Sequence, residues 1–330
     1  MNSKISIVII GRNEGERLVR CLESVRDMVG RDRSTEIVYV DSGSTDGSVQ
    51  CALHFGASVV ALTGRCSAAR ARNAGWRAAN GEWILFLDGD TVLHPDFLLK
   101  ALAHAGDSQV AAVWGHRREL KPTANLYHRV LDLDWVYAPG PSEFCGGDVL
   151  MRRAVLESSG GFDDTLIAGE EPELCARLRG QGYIILHIDA PMTGHDLAIS
   201  RFSQYWKRAV RAGYAYAQLR QRTRNYVQPM WSGETLRNLV RGAALAALLV
   251  GLPLASLLLR SWIPVAVSVV LTVALIVRTA FRARWKSTDA FTLLCYGVHS
   301  HFQQFPILAG QIAYRRDMAA AHRRDLIEYK

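Results

Sequence analysis

The stretch Gly81-Glu-Trp-Ile-Leu-Phe-Leu-Asp-Gly-Asp90 joins a short apolar run to two carboxylates set one residue apart. Trp83–Leu87 has the length and composition of a buried strand, so Asp88 and Asp90 fall at its C-terminal end. That end is where open α/β sheets bind ligands. Two carboxylates so placed suit a hard divalent cation, Mg²⁺ or Mn²⁺, which keeps several waters and also takes substrate phosphates. Asp and Gly are equally ordinary turn formers, so the pair needs support from the rest of the chain.

Five other segments bring polar groups or flexible backbone to the ends of elements, where a ligand could meet them. Gly11-Arg12-Asn13-Glu14 follows the first apolar run and offers backbone N–H groups near a helix N-terminus, with a carboxylate for a ribose or base. Asp41, followed by Ser42, ends the second run, where its carboxylate can accept from a base imide or a ribose hydroxyl. A loop-capping role is equally open to it, and Ser42, Ser44 or Asp46 can fill that role too. Arg72 lies on the helix ahead of the acidic strand, where a guanidinium can hold a diphosphate in bidentate fashion; Arg65 and Arg70 are alternatives. Gly89, Gly146-Gly147-Asp148 and Gly160-Gly161 permit close backbone approach to a sugar, or make plain turns. Glu170 and Glu171 open a helix with Pro172 in its first turn, where the dipole favours carboxylates whatever else they do.

The elements that must carry these residues alternate in type. Strands are predicted over Ile5–Ile10, Glu36–Val40, Ala57–Leu62 and Trp83–Leu87. Helices are predicted over Gly15–Met28, from near Ser48, and over Ala68–Ala79; Leu18, Cys21, Leu22 and Val25 share one face of the first. Such alternation implies an α/β fold with a mostly parallel sheet covered on both faces. Six cysteines without a Cys-x-x-Cys pair or zinc spacing read as free thiols in a reducing compartment. The run Ile5–Ile10 is too short for a signal peptide, so none is expected.

The last part of the chain is different. Residues 201–330 hold 19 of the 39 Lys and Arg but only 5 of the 31 Asp and Glu. Within it, Gly242–Leu259 and Trp262–Val277 are apolar and separated only by Arg260 and Ser261, which reads as a membrane hairpin. Arg237 and Arg241 precede it, and Arg278, Arg282, Arg284 and Lys286 follow it, so both outer ends are expected on the cytoplasmic side. Arg201–Tyr226 reads as a basic interfacial helix or as a solvated helix of the globular domain. Phe291–Tyr314 reads as a third span, a re-entrant segment or a surface helix. The basic charge with long apolar runs favours membrane lipids over nucleic acid as the partner.

Taken in order, the motifs from Ser6 to His195 resemble the family 2 glycosyltransferases, which have the GT-A (Rossmann-like) fold. The resemblance implies an inverting transferase using a nucleotide-diphosphate sugar, with Asp41 as the base-binding acid and Asp88 and Asp90 as the metal pair. Gly11, Arg12, Asn13, Glu14, Ser42, Arg72, Gly89, Gly147 and Asp148 would complete the donor site. It places Glu171 at the catalytic base, with Glu170 a competitor because the family usually has Asp there, and His195 near the metal. The first loop also departs from the family's commoner Pro-Thr-Tyr-Asn-Glu. On this reading residues 1–200 form the catalytic domain, 201–237 a basic interfacial region, and 238–330 a membrane hairpin plus a membrane-associated C-terminal helix. The acceptor is then lipid-linked, as in envelope polysaccharide assembly, on a multi-pass protein of the cytoplasmic membrane, with a homo-oligomer possible. Direct transfer onto polyprenyl phosphate and a non-catalytic nucleotide-binding role are the alternatives.

Overall fold

The apolar runs become neighbouring strands of one sheet. The computed structural model describes residues 4–29, 35–64 and 66–320. Contacts divide it into two units, the first made of residues 1–121, 135–197 and 223–230, the second of 122–134, 198–222 and 231–330.

In the first unit the strands are β1 (Ile5–Gly11), β2 (Glu36–Asp41), β3 (Ser58–Ala61), β4 (Trp83–Asp88), β5 (Thr91–Leu93), β6 (Val110–Glu119), β7 (Gly140–Pro141), β8 (Val149–Arg152) and β9 (Ile184–His195). They lie in the order β3-β2-β1-β4-β8-β6-β9-β5, with β7 paired to β9. β1 to β4 pair in parallel and β6 runs parallel to β9, whereas β8 is antiparallel to both of its neighbours. The sheet is mixed, and its first half is the parallel, doubly covered arrangement that the sequence predicts.

Helices α1 (Glu16–Val29), α2 (Ser48–His54), α3 (Ala68–Ala78), α4 (Phe97–Leu102), α6 (Arg153–Ser159) and α7 (Glu170–Gly180) belong to this unit. Leu18, Cys21, Leu22 and Val25 of α1 are all 0 % exposed, as their spacing requires. The strand cores are equally dry from Ile7 to Ile9 and from Ile84 to Leu87. Parallel register sets Ile10 beside Asp88 and Gly11 beside Asp41, so three polar strand ends finish level at one sheet edge.

The second unit is helical. It contains α5 (Leu126–Asp134) and α8 (Phe202–Arg222). The two apolar runs become helices Ser232–Leu259, with a π-helical turn at Ala247–Gly251, and Ile263–Arg282. Both are longer than the predicted runs, because helix continues into the flanking basic residues. Arg260 makes the tight turn between them with a left-handed φ of 48°. Among the described residues these two alone are long and apolar enough to cross a membrane, and only 11 % of each apolar window is buried within the chain.

The segment Phe291–Tyr314 is two helices, Ala290–Phe302 and Gln304–Ala319, divided at Gln303, so a single third span is not what forms. Its polar residues have partners inside the unit. His299 bonds the Tyr205 hydroxyl at 2.7 Å and Asp134 at 3.2 Å, and Gln311 donates to the Thr235 carbonyl at 3.3 Å. α8 buries Tyr205, Ala209, Gly213, Tyr214 and Leu219 and packs on Gln304–Ala319. The far C-terminal residues 321–330 of the expected membrane-associated helix lie outside the described residues.

Candidate active site

Asp88 leaves β4 beside Ile10, one residue before the Gly11–Asp41 pair, and its surroundings fix it from several sides. Its backbone N–H donates to Asp148 Oδ1 at 2.9 Å, and the Gly89 N–H donates to the Ile10 carbonyl at 2.8 Å. Asp148 is 2 % exposed and also accepts from the Thr193 hydroxyl at 2.7 Å. Burial raises the Asp148 pKa, with Arg117 opposing and Asp88 reinforcing the shift. Asp148 therefore orients the Asp88 turn.

Arg72 is the hub of the corner. It is 2 % exposed, donates from its terminal nitrogens to Asp88 Oδ1 and Glu170 Oε1 at 2.8 Å each, and lies 3.1 Å from Glu171 Oε1. Burial works against its charge, but the carboxylates of Glu171, Asp88 and Glu170 outweigh it and hold its pKa above the ordinary value. The sequence points to Arg72 as a diphosphate clamp; in the structure its terminal nitrogens are used to gather carboxylates. Arg70 heads α3, where its backbone N–H is capped by the Ser67 hydroxyl, and Arg65 lies outside the described residues.

Gly147 is required by this packing. A Cβ there would stand 2.3 Å from an Arg72 terminal nitrogen and 2.9 Å from Asp88 Oδ2. Gly160, at φ 78°, ends the helix Arg153–Ser159, the plain-turn role. A Cβ on Gly161 would meet Asn73 Oδ1 at 2.4 Å, and Asn73 bonds both the N–H and the carbonyl of Phe162, so Gly161 seats this loop on α3.

Glu170 and Glu171 open α7, and both reach Arg72. Glu170 is the more deeply buried, with its side chain 6 % exposed against 15 % for Glu171. Burial and the adjacent Glu170 push the Glu171 carboxyl up to about 7, with Arg72 pulling the other way. A carboxylate so tuned matches what a general base near neutral pH requires.

Asp90 and His195 complete the acidic corner. β5 pairs with β9 so that Thr91 faces His195, and His195 Nε2 sits 3.2 Å from Asp90 Oδ1. Ligand atoms of Asp88, Asp90 and His195 all lie within 4.8 Å of one another. Two carboxylates and an imidazole at that separation fit a single Mn²⁺ or Mg²⁺. Mn²⁺ at a hundredfold excess over Kd is expected to stabilise the protein by about 2.7 kcal/mol. Asp90→Asn should abolish most of that shift in a thermal melt, and an undiminished shift would place the cation elsewhere.

The edge beside Gly11 and Asp41 is built from two linked loops. Asn13, at φ 54°, accepts the Thr45 N–H on Oδ1 at 2.7 Å, and its own N–H donates to the Ser44 hydroxyl at 2.9 Å. The Ser42 N–H donates to the Gly11 carbonyl at 3.0 Å. Asp41, 4 % exposed, accepts on Oδ2 from the Gly43 and Ser44 N–H groups, so it performs the capping role; Oδ1 lies 3.4 Å from the Tyr39 hydroxyl. Glu14 pairs with Arg17 at 2.9 Å beneath Gly89 and Gly11, and Arg12 stays exposed.

Two residues here lie outside the sequence expectations. Arg117 stands 3.9 Å from both Asp88 Oδ2 and Asp148 Oδ2, with its guanidinium 4.5 Å over the Trp135 ring. Trp135 meets the His195 ring edge at 5.0 Å. β6 carries register shifts between Trp114 and Arg117, and such irregularities re-aim side chains beside sites. The only sequence signal was the charged end His116-Arg-Arg-Glu119 of an otherwise apolar run; nothing local marked Trp135.

Residues 83–277 match the family model described as Glycosyl transferase family group 2, and residues 6–157 match Glycosyl transferase family 2. A pre-mycofactocin glycosyltransferase of Mycobacterium tuberculosis is 27 % identical over 206 residues, which is 58 % of this chain and 42 % of that protein. Glycosyltransferase AglE of Haloferax volcanii is 24 % identical over 54 % of this chain and 62 % of its own length. The chain thus spans about half the length of these curated relatives. Among solved structures, mannosyltransferase PcManGT from Pyrobaculum calidifontis, in complex with GDP-Man and Mn²⁺, superposes with a TM-score of 0.61 at 19 % identity, covering 96 % of this chain and 88 % of that one. At that identity the likeness is one of fold.

Proposed function

The chain belongs to the family 2 group of glycosyl transferases and has their GT-A fold, and from that premise we propose that it moves a hexose from a nucleotide-diphosphate donor to a lipid-linked saccharide. The observation that carries this reading is the shared grip of Arg72 on Asp88, Glu170 and Glu171, which brings metal carboxylate and candidate base into one corner.

In this reading the Gly11–Glu14 and Asp41–Asp46 loops form the wall against which the nucleoside lies, with Asp41 Oδ1 facing its base or ribose. Asp88, Asp90 and His195 would hold Mg²⁺ or Mn²⁺, whose charge offsets that gathering on the leaving diphosphate. Glu171 takes the proton from an acceptor hydroxyl as that oxygen bonds the anomeric carbon. The bond from carbon to diphosphate oxygen breaks on the opposite face, so the product is inverted. Arg72 keeps Glu171 beside the reacting carbon, and Arg117 adds positive charge beside Asp88.

A base elevated to about 7 must lose its proton to work. kcat/KM is therefore expected to rise with pH through an acid limb near 7. A rate flat from pH 5.5 to 8.5 would remove Glu171 from the role.

The acceptor and the membrane are argued from the second unit. Its first apolar helix leaves Leu257 and Leu258 at 76 and 84 % exposure and its second leaves Val269 and Val270 at 57 and 65 %, which a core helix does not do. Cations flank both outer ends, so the reading is a hairpin in the cytoplasmic membrane, with the transferase unit on the cytoplasmic side serving envelope polysaccharide assembly. The test is transfer by detergent-purified full chain from a panel of labelled nucleotide sugars with Mn²⁺, using a membrane lipid extract as acceptor. Label entering the organic phase as a lipid saccharide supports the proposal, a lipid bearing one sugar shifts the acceptor to polyprenyl phosphate, and no turnover of any donor defeats it.

A further inference from the structure

In the second unit a cavity of about 540 Å³ opens among the helices Ser232–Leu259, Ile263–Arg282 and Ala290–Phe302. Arg241, Arg278 and Arg282 line it, and no carboxylate does. Among the described residues none of these three has a carboxylate partner, and the chain has no Asp or Glu between Glu234 and Asp289. Lys286 also lines the cavity, but its ammonium donates to the Leu133 carbonyl at 2.7 Å. Clustered arginines repel one another, so an anion among them would be stabilised.

The wall is not uniformly polar. Leu245 and Leu248 line the same cavity one to two turns further along the first apolar helix than Arg241. Both outer ends of the hairpin lie at the cavity, and Arg260 at its tip lies a helix length away, about 27 Å for eighteen residues. Cations at one end and leucines just beyond match the order of phosphate and acyl chain in a lipid. The volume suits a headgroup of drug-like size.

We propose that this cavity is a binding site for the phosphate headgroup of a membrane lipid, whose chain leaves along Leu245 and Leu248. The inference rests on the membrane part of the proposed function and is independent of donor and metal. The shared chemistry is a lipid phosphate; a polyprenyl phosphate and an anionic diacyl phospholipid are its two sources.

The test is native mass spectrometry of the detergent-purified full chain, titrated separately with a polyprenyl phosphate, phosphatidylglycerol and phosphatidylcholine, with inorganic phosphate as competitor. One retained anionic lipid per chain is expected, with phosphatidylcholine held at least about tenfold more weakly. Arg278→Gln/Arg282→Gln should weaken the anionic lipid by about tenfold or more, while Arg260→Gln, which removes a cation at the hairpin tip, leaves it unaltered. The tighter of the two anionic lipids identifies the source. Equal retention of phosphatidylcholine, an unaffected double variant, or complete displacement by inorganic phosphate would each overturn the proposal. Donor turnover measured on the same variants separates this failure from failure of the transferase reading.

Discussion

Glu171→Gln is expected to lower turnover by on the order of 10² to 10⁴ while leaving nucleotide-sugar affinity nearly unchanged. The amide keeps the size of the side chain but cannot take a proton. Its oxygen can still accept from Arg72, which lies 3.1 Å away, so the corner should stay assembled. Glu170→Gln is the necessary companion. Its side chain is more buried and shares the same guanidinium at 2.8 Å, so its loss should weaken positioning more than proton transfer. Single-turnover rates with a saturating donor, compared with donor binding by calorimetry, separate the two effects. If Glu171→Gln turns over normally and Glu170→Gln does not, the base is Glu170.

Arg72→Met should be the most destabilising single change in the corner. It removes the one cation held directly by Asp88, Glu170 and Glu171 and leaves buried carboxylates uncompensated, a loss of about 3 to 5 kcal/mol. For a unit of this size that corresponds to roughly 6 to 20 °C in Tm. The effect has a pH signature. Glu171 is already raised by burial and held down by Arg72, so without Arg72 its folded-state pKa rises further above its unfolded value. Its contribution is then intact at low pH and is lost as pH rises through the folded pKa. The deficit against the parent protein should shrink towards pH 5 and grow towards pH 8. A deficit under 1 kcal/mol, or one independent of pH, would mean that Arg72 does not carry this charge.

Much of the corner was legible in the sequence because its acids sit at the ends of short apolar strands. β1, β2 and β4 are continuous dry runs that stop at polar residues, so Gly11, Asp41 and Asp88 could be placed at one edge without tertiary information. The same holds for the buried face of α1, whose period is local. What could not be read is what depends on pairing far along the chain. Arg72 meets Glu170 across 98 residues, and Asp148 reaches the Asp88 backbone across 60. A motif shows that an arginine is present, not which carboxylates it will face. Arg117 escaped for a similar reason, since the irregular register of β6 against β9 sets its direction, and Trp135 meets Arg117 from a separate segment. Phe291–Tyr314 escaped because residues such as His299, His301 and Gln304 looked like interruptions of a span, yet each of these three finds a partner within its own helical unit.

The level finish of β1, β2 and β4 constrains how this chain can change. Each residue added to or removed from such a strand moves its tip by about 3.3 Å and turns every later side chain to the opposite face. Substitutions inside Ile7–Ile9 or Ile84–Leu87 trade packing for packing, but a one-residue indel there would bury Asp88 in the core or retract it from its neighbours. Length variation must therefore be absorbed where the strands begin, at Ile5, Glu36 and Trp83, so that the strands act as fixed rulers measured from the reactive edge.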